Sequence, residues 1–299
     1  MNILKLNLIL LCSIFLQACQ LNSPVKISVQ GHRGDRGNWP ENTLKAFKSA
    51  IDKGVDVIEL DIVINKYDEI IVSHEPYMHS DYVLLPNGQP IHPNLHSNYN
   101  IYNMKLDSVQ MYDTGSKFYS AFPKQIKIPS YKPGLGEVFE YLKEEFGTSV
   151  FQNVAFNIEL KSNPKEYGKF QHYPDKMVSV FLTFMKDYPL VKYTLQSFDI
   201  QILEYAKAKK PDLTISYLVS KGSFKENLMK LSFLPDIYSP NYKLLTHASE
   251  VRNIQEYGLK VIPWTVNDVE DIQYIINLGV DEIISDYPEL ALSIIKASN

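Results

Sequence analysis

Strand-like and helix-like patterns alternate eight times along this chain, and that alternation restricts the fold more than any other feature. The strand runs are Val25–Gln30, Val55–Ile64, Val154–Lys161, Tyr193–Phe198, Leu213–Val219, Ile237–Ser239, Lys260–Val266 and Glu282–Ser285. They are short and rich in apolar and β-branched residues, as buried strands are. A helical pattern follows each one. The first is opened by Pro40-Glu41-Asn42-Thr43, where Asn42 or Thr43 can cap, and has Leu44, Phe47 and Ile51 on its buried face. The others are Leu135–Phe146, Asp175–Lys186, Ile200–Lys209, Lys225–Leu231, Ala248–Tyr257, Val269–Asn277 and Pro288–Lys296. Eight βα units in about this length predict an α/β protein of the (β/α)8 TIM barrel type. A doubly wound open sheet is the alternative. That fold gathers its ligands at one switch point, whereas here polar residues recur at the ends of many strands.

Before the first strand, Lys5 and the apolar run Leu6–Leu16 read as a targeting segment, too short to span a bilayer comfortably. The run ends Leu16-Gln17-Ala18-Cys19, which resembles a lipoprotein cleavage site with lipid attached to the cysteine. Residues 1–18 are therefore expected to be a signal peptide and 19–26 a lipidated Cys19 with its tether. Residues 27–299 are expected to form a single domain, anchored by lipid to a membrane of the bacterial cell envelope. No thiol would remain for a disulfide or a thiolate metal site. A net charge of −4 leaves no electrostatic footprint for nucleic acid.

The second strand run carries Glu59 and Asp61. Residues two apart in a strand share a face, and two like charges buried together are costly unless a cation joins them. Asn65–Asp68 reads as a turn into a further strand, Glu69–His74. A hairpin centred near Lys66-Tyr67 would set Glu59 opposite His74. Residues 76–133 then break the rhythm, rich in Pro, Asn, His and Tyr and without a sustained period. They are expected to be an insertion, acting as a lid over the active face. Pro93 argues against pairing His92 with His96 as metal ligands on a helix, so His79, His92 and His96 are not read as a second metal site.

Barrel active sites lie at the C-terminal strand ends. His32 and Arg33 end strand one, Glu59 and Asp61 belong to strand two, and Glu159 and Lys161 end strand three. Gln196 and Ser197 end strand four, Trp264 and Thr265 lie near the end of strand seven, and Asp286 follows strand eight. Three carboxylates without a thiolate suit a hard divalent cation such as Mg²⁺, Ca²⁺ or Mn²⁺. Arg33 and Lys161 suit an anion. His32 and His74 can move protons near neutral pH. Together these describe phosphoryl transfer to water or to an internal hydroxyl. Trp264 reads equally as packing at the barrel mouth and as a substrate wall. Asp286 is expected to cap the last helix. Ser197 lacks the surroundings of a nucleophile elbow.

The ordered set Gly-His-Arg-Gly, Pro-Glu-Asn-Thr, Glu-Leu-Asp, His74 after an apolar strand, and Glu-Leu-Lys is similar to the glycerophosphodiester phosphodiesterase family. Gln196-Ser197-Phe198, Trp264-Thr265-Val266-Asn267 and Ser285-Asp286-Tyr287-Pro288 match its closing motifs. The resemblance implies a barrel with a hairpin insertion and His32 and His74 as the acid–base pair. It implies Glu59, Asp61 and Glu159 as ligands of one divalent cation, Ca²⁺ or Mg²⁺, and Arg33 and Lys161 at the phosphate. It implies hydrolysis of small-molecule glycerophosphodiesters to glycerol 3-phosphate and an alcohol. Two departures are visible: the turn Asn65-Lys66-Tyr67-Asp68 stands where the family has Thr-x-Asp-Gly, and His74-Glu75 stands for His-Asp.

Three other activities compete. Cleavage of lysophospholipids, in the manner of a phospholipase D, uses the same chemistry at a membrane. A metallo-amidohydrolase would need a His-x-His pair on the first strand, and His32 stands alone. A non-catalytic lipoprotein that binds phosphorylated solutes would need the anion site, but not two histidines with three carboxylates.

Overall fold

The computed structural model describes residues 27–298. The segment Met1–Lys26, with the signal-peptide and Cys19 expectations, lies outside them. Among the described residues the strands are β1 (Ser28–Gly31), β2 (Val57–Ile64), β3 (Ile70–Val72), β4 (Ala155–Leu160), β5 (Lys192–Ser197), β6 (Ile215–Val219), β7 (Ile237–Pro240), β8 (Lys260–Val261) and β9 (Glu282–Ser285). All but β3 pair in parallel, in the order β8-β7-β6-β5-β4-β2-β1-β9. Backbone bonds from Asp281 N to Val261 O, Ile284 N to Pro263 O and Val266 N to Ile284 O join the two ends of this path. The expected eight-stranded barrel is therefore present and nearly closed. Strand seven is regular only over Lys260–Val261, because Pro263 has no N–H to give the ladder.

The outer helices are α1 (Leu44–Asp52), α3 (Leu135–Phe151), α4 (Pro174–Phe184), α5 (Ile200–Lys209), α6 (Phe224–Leu228), α7 (Ala248–Glu256), α8 (Val269–Leu278) and α9 (Pro288–Ser298), with a short α2 (Leu106–Val109) inside the insertion. The main core lies between helices and sheet, with Phe47, Ile58, Leu60, Phe139, Phe156 and Phe181 all buried. Thr43 caps α1 by accepting from Ala46 N. Leu44, Phe47 and Ile51 do pack on the core, Leu44 and Ile51 half-buried, and Ala46 and Ala50 complete the buried face of α1. Small residues are needed there because the loop after β1 comes very close. A Cβ on Gly34 would lie 2.6 Å from the Ala46 carbonyl carbon.

The hairpin differs from expectation by one residue. Observed pairs are Ile62 with Val72, Val63 with Ile71 and Ile64 with Ile70. Asn65 N bonds to Glu69 O, so the loop has three residues, not two. Its last, Asp68, is left-handed at φ 64°, which is how three-residue hairpin loops usually close. Glu59 is consequently not opposite His74 in the ladder. Instead β3 ends at Val72, Ser73 N still donates to Asp61 O at 3.0 Å, and the chain leaves the ladder at His74.

Residues 76–133 are an ordered insertion with a core of its own. Met78, Tyr82, Val83, Ile91, Ile101 and Val109 pack on Val63 and Ile71 of the hairpin. Its far end ties to the loop after β1, with Ile126 N bonded to Asn38 O and Gln125 Nε2 bonded to Arg36 O and Trp39 O.

Candidate active site

Parallel pairing brings Asp61 on β2 level with Glu159 on β4, and Glu159 level with Gln196 on β5. Glu59 is two residues below Asp61 on the same face. One oxygen from each of Glu59, Asp61 and Glu159 lies within 4.8 Å of the others, and all three residues are buried. Gln196 Nε2 and Arg33 N donate to the two oxygens of Glu59, at 2.7 and 2.9 Å. Asn42 does not cap α1; its Nδ2 donates to Asp61 Oδ2 at 2.8 Å. Lys161 Nζ lies 2.7 Å from Glu159 Oε1 and 3.7 Å from Asp61 Oδ1.

The electrostatics of this triad would suit a cation. Burial and then the charges of Asp61 and Glu159 push the Glu59 carboxyl well above its ordinary range. Burial also raises Glu159, with Lys161 opposing and Asp61 adding to the rise. Burial would raise Asp61 too, but Arg33, His74 and Lys161 together hold it well down. Three acids in one buried space do not all ionise without a positive charge among them. Asp61 Oδ1 is buried and accepts no hydrogen bond. An all-oxygen donor set with one carboxylate oxygen unspent fits a hard divalent cation.

Above the triad, one pocket is lined by His32, Arg33, Arg36, Glu59, His74, Glu159, Lys161, Gln196, Phe198, Leu218, Trp264, Thr265 and Ile284. The structure thus brings His32, Arg33, Glu59, His74, Glu159, Lys161, Gln196, Trp264 and Thr265 to one pocket; Asp61, Ser197 and Asp286 do not line it, and Cys19 lies outside the described residues. The rim is set by a tight loop. Arg33 and Gly34 are both left-handed, at φ 52° and 85°, and Gly34 N returns to Gly31 O. That turn presents His32 and Arg33 at the top of β1.

Each histidine is oriented by a carboxylate. His32 Nδ1 lies 2.6 Å from Asp286 Oδ1, and Asn267 Nδ2 donates to Asp286 Oδ2 at 2.7 Å. Asp286 is therefore the partner of His32, not the cap of the last helix. Burial lowers the His32 imidazole below its ordinary value, with Asp286 pulling the other way. His74 Nδ1 lies 2.7 Å from Glu75 Oε1. With Nδ1 engaged in both rings, Nε2 is the nitrogen left for the pocket. His32 Nε2 is 4.0 Å from Glu59 Oε2.

Arg33 is held from behind. Its Nη1 donates to Glu41 Oε1 at 2.7 Å and its Nε lies 3.1 Å from Asp61 Oδ2. An anion in the pocket would meet the guanidinium edge that these leave. Arg36 lines the same pocket, bonded through Nε to Glu41 Oε2 at 2.7 Å. Glu41 and Asp286 lie within the sequence motifs, but nothing in the sequence marks their roles as partners of Arg33 and His32, and Arg36 lies outside the motifs altogether. Trp264 both packs and faces the pocket: its Nε1 donates to Ser239 O, and its ring meets Phe198 edge-on at 5.3 Å. Ser197 Oγ donates to Leu160 O, which makes it a structural serine.

A barrel whose strand ends gather paired histidines, guanidinium groups and a buried carboxylate triad is built for hydrolysis of a phosphate ester. The profile of the Glycerophosphoryl diester phosphodiesterase family matches residues 32–290, and the chain belongs to that family, among the phosphoric diester hydrolases. It is 29% identical over 273 residues to a glycerophosphodiester phosphodiesterase of Caldanaerobacter subterraneus subsp. tengcongensis, covering 91% of this chain and 99% of that one. A crystal structure of a putative glycerophosphoryl diester phosphodiesterase from Silicibacter pomeroyi superposes with TM-score 0.81 at 25% identity, over 92% of this chain and 95% of that one. An Oleispira antarctica phosphodiesterase in complex with the product sn-glycerol-3-phosphate shares the fold at TM-score 0.70 and 23% identity, over 90% and 96%.

Proposed function

We propose that this chain hydrolyses glycerophosphodiesters to glycerol 3-phosphate and an alcohol, in a cation-dependent reaction with His32 and His74 moving the protons. The observation that carries this reading is the pairing of two carboxylate-held imidazoles over one buried carboxylate triad. Glu59, Asp61 and Glu159 would hold the cation, Ca²⁺ or Mg²⁺. When bound, it supplies positive charge beside the phosphate oxygens as negative charge grows there.

The chain's own residues do the rest. Arg33 and Lys161 bind the phosphate, Lys161 turning from Glu159 to do so, and Arg36 adds a second guanidinium at the rim. His32, whose imidazole burial lowers below its ordinary value, takes the proton of the nucleophile, and His74 gives one to the departing alcohol. The two then exchange roles if a second step follows. The nucleophile we favour is the glycerol hydroxyl next to the phosphate. It is already in place, so attack gains from proximity, and water then opens the cyclic phosphate. Phe198 and Trp264 form a wall for the organic part of the diester. The insertion, none of whose residues lines this pocket, would act as a lid that governs head-group preference.

We further propose that Cys19 is lipidated and anchors the enzyme in the cell envelope. Among the described residues no helix is long and apolar enough to cross a membrane. The test is the purified full chain on a panel of glycerophosphodiesters and lysophospholipids, with and without chelator. Cation-dependent release of glycerol 3-phosphate is expected. No release from any diester with Ca²⁺ or Mg²⁺ present would sink the reading.

A further inference from the structure

Lys132 is 4% exposed, and among the described residues no carboxylate comes within ion-pair distance of it. Burying an ammonium without a paired anion is costly. Among the described residues its one directional partner is a phenol: Nζ donates to Tyr82 Oη at 3.4 Å and lies 5.3 Å from the centre of that ring. Tyr82 is itself buried, at 5% exposure, and its hydroxyl donates to Glu75 Oε2. The other oxygen of Glu75 holds His74 Nδ1. A continuous chain therefore runs Lys132, Tyr82, Glu75, His74, and ends at the pocket.

Both outer members come from the insertion, and both are fixed to the hairpin that carries His74. Tyr82 belongs to the small core packed on Val63 and Ile71. The backbone beside Lys132 joins β3, with Val72 N bonded to Pro133 O and a bridge between Ile71 and Gly134. Burial lowers the Lys132 ammonium, opposed by the charges of Glu75 and Glu41. Glutamate has one more rotatable bond than aspartate, so the Glu75 carboxylate has more freedom to restrain when it holds His74. Tyr82 anchors the free oxygen, and Lys132 orients Tyr82.

We propose that Tyr82 and Lys132 are positioning residues for His74, locking Glu75 so that it holds the imidazole with Nε2 toward the pocket. This rests on the role of His74 in proton transfer given above. The insertion is then part of the catalytic support.

The test is a double-mutant cycle in the full chain with cation present, using glycerophosphoethanolamine. Tyr82→Phe removes one oxygen and keeps the ring. It should lower kcat about tenfold, the scale of one hydrogen bond to a charged group, with KM changed less than about twofold. Lys132→Met should act in the same direction. Combined with Glu75→Gln, Tyr82→Phe should add no further loss, since the chain is already cut. Parent-like kcat in Tyr82→Phe, or losses that multiply, overturns the proposal. Should Lys132→Met fail to fold, Tyr82→Phe alone decides. A second readout does not need turnover: the Nδ1–H resonance of His74, assigned by its loss in His74→Ala. It should shift in Tyr82→Phe, and an unchanged resonance overturns the proposal. If the parent cleaves no diester, the functional reading fails while this readout still judges the chain of contacts.

Discussion

His32 Nδ1 lies 2.6 Å from Asp286 Oδ1, although the two residues stand 254 positions apart in the chain. The contact closes the barrel functionally, since β1 carries one partner and the loop after β9 the other. Asp286 is itself held low: burial would raise it, but His32, Arg36 and Asn267 outweigh that. It therefore stays ionised across the working range and keeps the His32 proton on Nδ1.

Asp286→Asn should lower kcat by at least ~10²-fold, the scale for losing a positioned acid or base. The pH profile gives the sign. His32 must be neutral to act as base, so activity is lost as pH falls through its lowered pKa. The Asp286 charge raises that value, so its removal moves the acidic limb further toward acid. A bound cation pushes the same way. The check is kcat/KM against pH for both proteins. An unmoved limb with parent-like kcat would remove His32 from the mechanism.

The carboxylate triad gives a prediction that reads stability as well as activity. Chelator should abolish turnover, and Glu59→Gln or Glu159→Gln should weaken cation binding. Glu59 and Glu159 have raised carboxyl pKa values in the folded chain. Their protonation therefore favours folding, and the cation-free protein loses stability as pH rises above the ordinary carboxylate range. Glu159→Gln removes one of the crowded charges, so without cation it should melt at or above the parent at neutral pH. Adding cation at a hundred times its Kd should stabilise the parent by about 2.7 kcal/mol and reverse the order. Melting curves with and without Ca²⁺ or Mg²⁺ measure both. Full activity after exhaustive chelation excludes the scheme.

Sequence periodicity was enough to place the barrel, because each strand and helix repeats its own local pattern. The site candidates were legible for a related reason: a charged residue inside an apolar strand, as at Glu59 or Glu159, stands out from its neighbours. The hairpin register was not legible, since one left-handed residue, Asp68, decides between a two- and a three-residue loop. Nor were the partners of the histidines and guanidinium groups. Asp286, Glu41, Tyr82 and Lys132 take their roles from side-chain contacts made only when distant or irregular segments meet. His74-Glu75 is the exception, a neighbour pair whose role stayed open until its geometry was seen.

The aromatic wall is testable through binding rather than rate. Phe198 is 38% exposed and meets Trp264 edge-on. Phe198→Ala should raise KM roughly two- to tenfold, the range for an aromatic contact, with smaller effects on kcat and cation affinity. Head groups differing in apolar area should lose discrimination. An unchanged KM across such a panel would leave Phe198 a packing residue.

The anchor can be separated from catalysis. Cys19→Ser should move the protein from membrane to soluble fractions, because stable attachment would come from lipid rather than from the barrel. Activity on glycerophosphodiesters should persist. Fractionation followed by assay reads both, and a Ser variant that stays with membranes as before ends the lipoprotein reading.

The route of the reaction turns on one hydroxyl. If the glycerol oxygen beside the phosphate attacks first, His32 takes its proton and His74 protonates the departing alcohol. A cyclic phosphate results, and water opens it with the histidines in exchanged roles. Holding nucleophile and phosphate in one molecule removes the cost of bringing them together, which accounts for large rate factors in well-oriented intramolecular reactions. If water attacks directly, that hydroxyl is only a binding group. A deoxy analogue separates the two. On the internal route its turnover should fall to background, while KM or inhibition constants change modestly. Cyclic glycerol phosphate should also be accepted as a substrate and opened to glycerol 3-phosphate. A deoxy diester cleaved as fast as the parent would eliminate the internal route and leave water as the nucleophile.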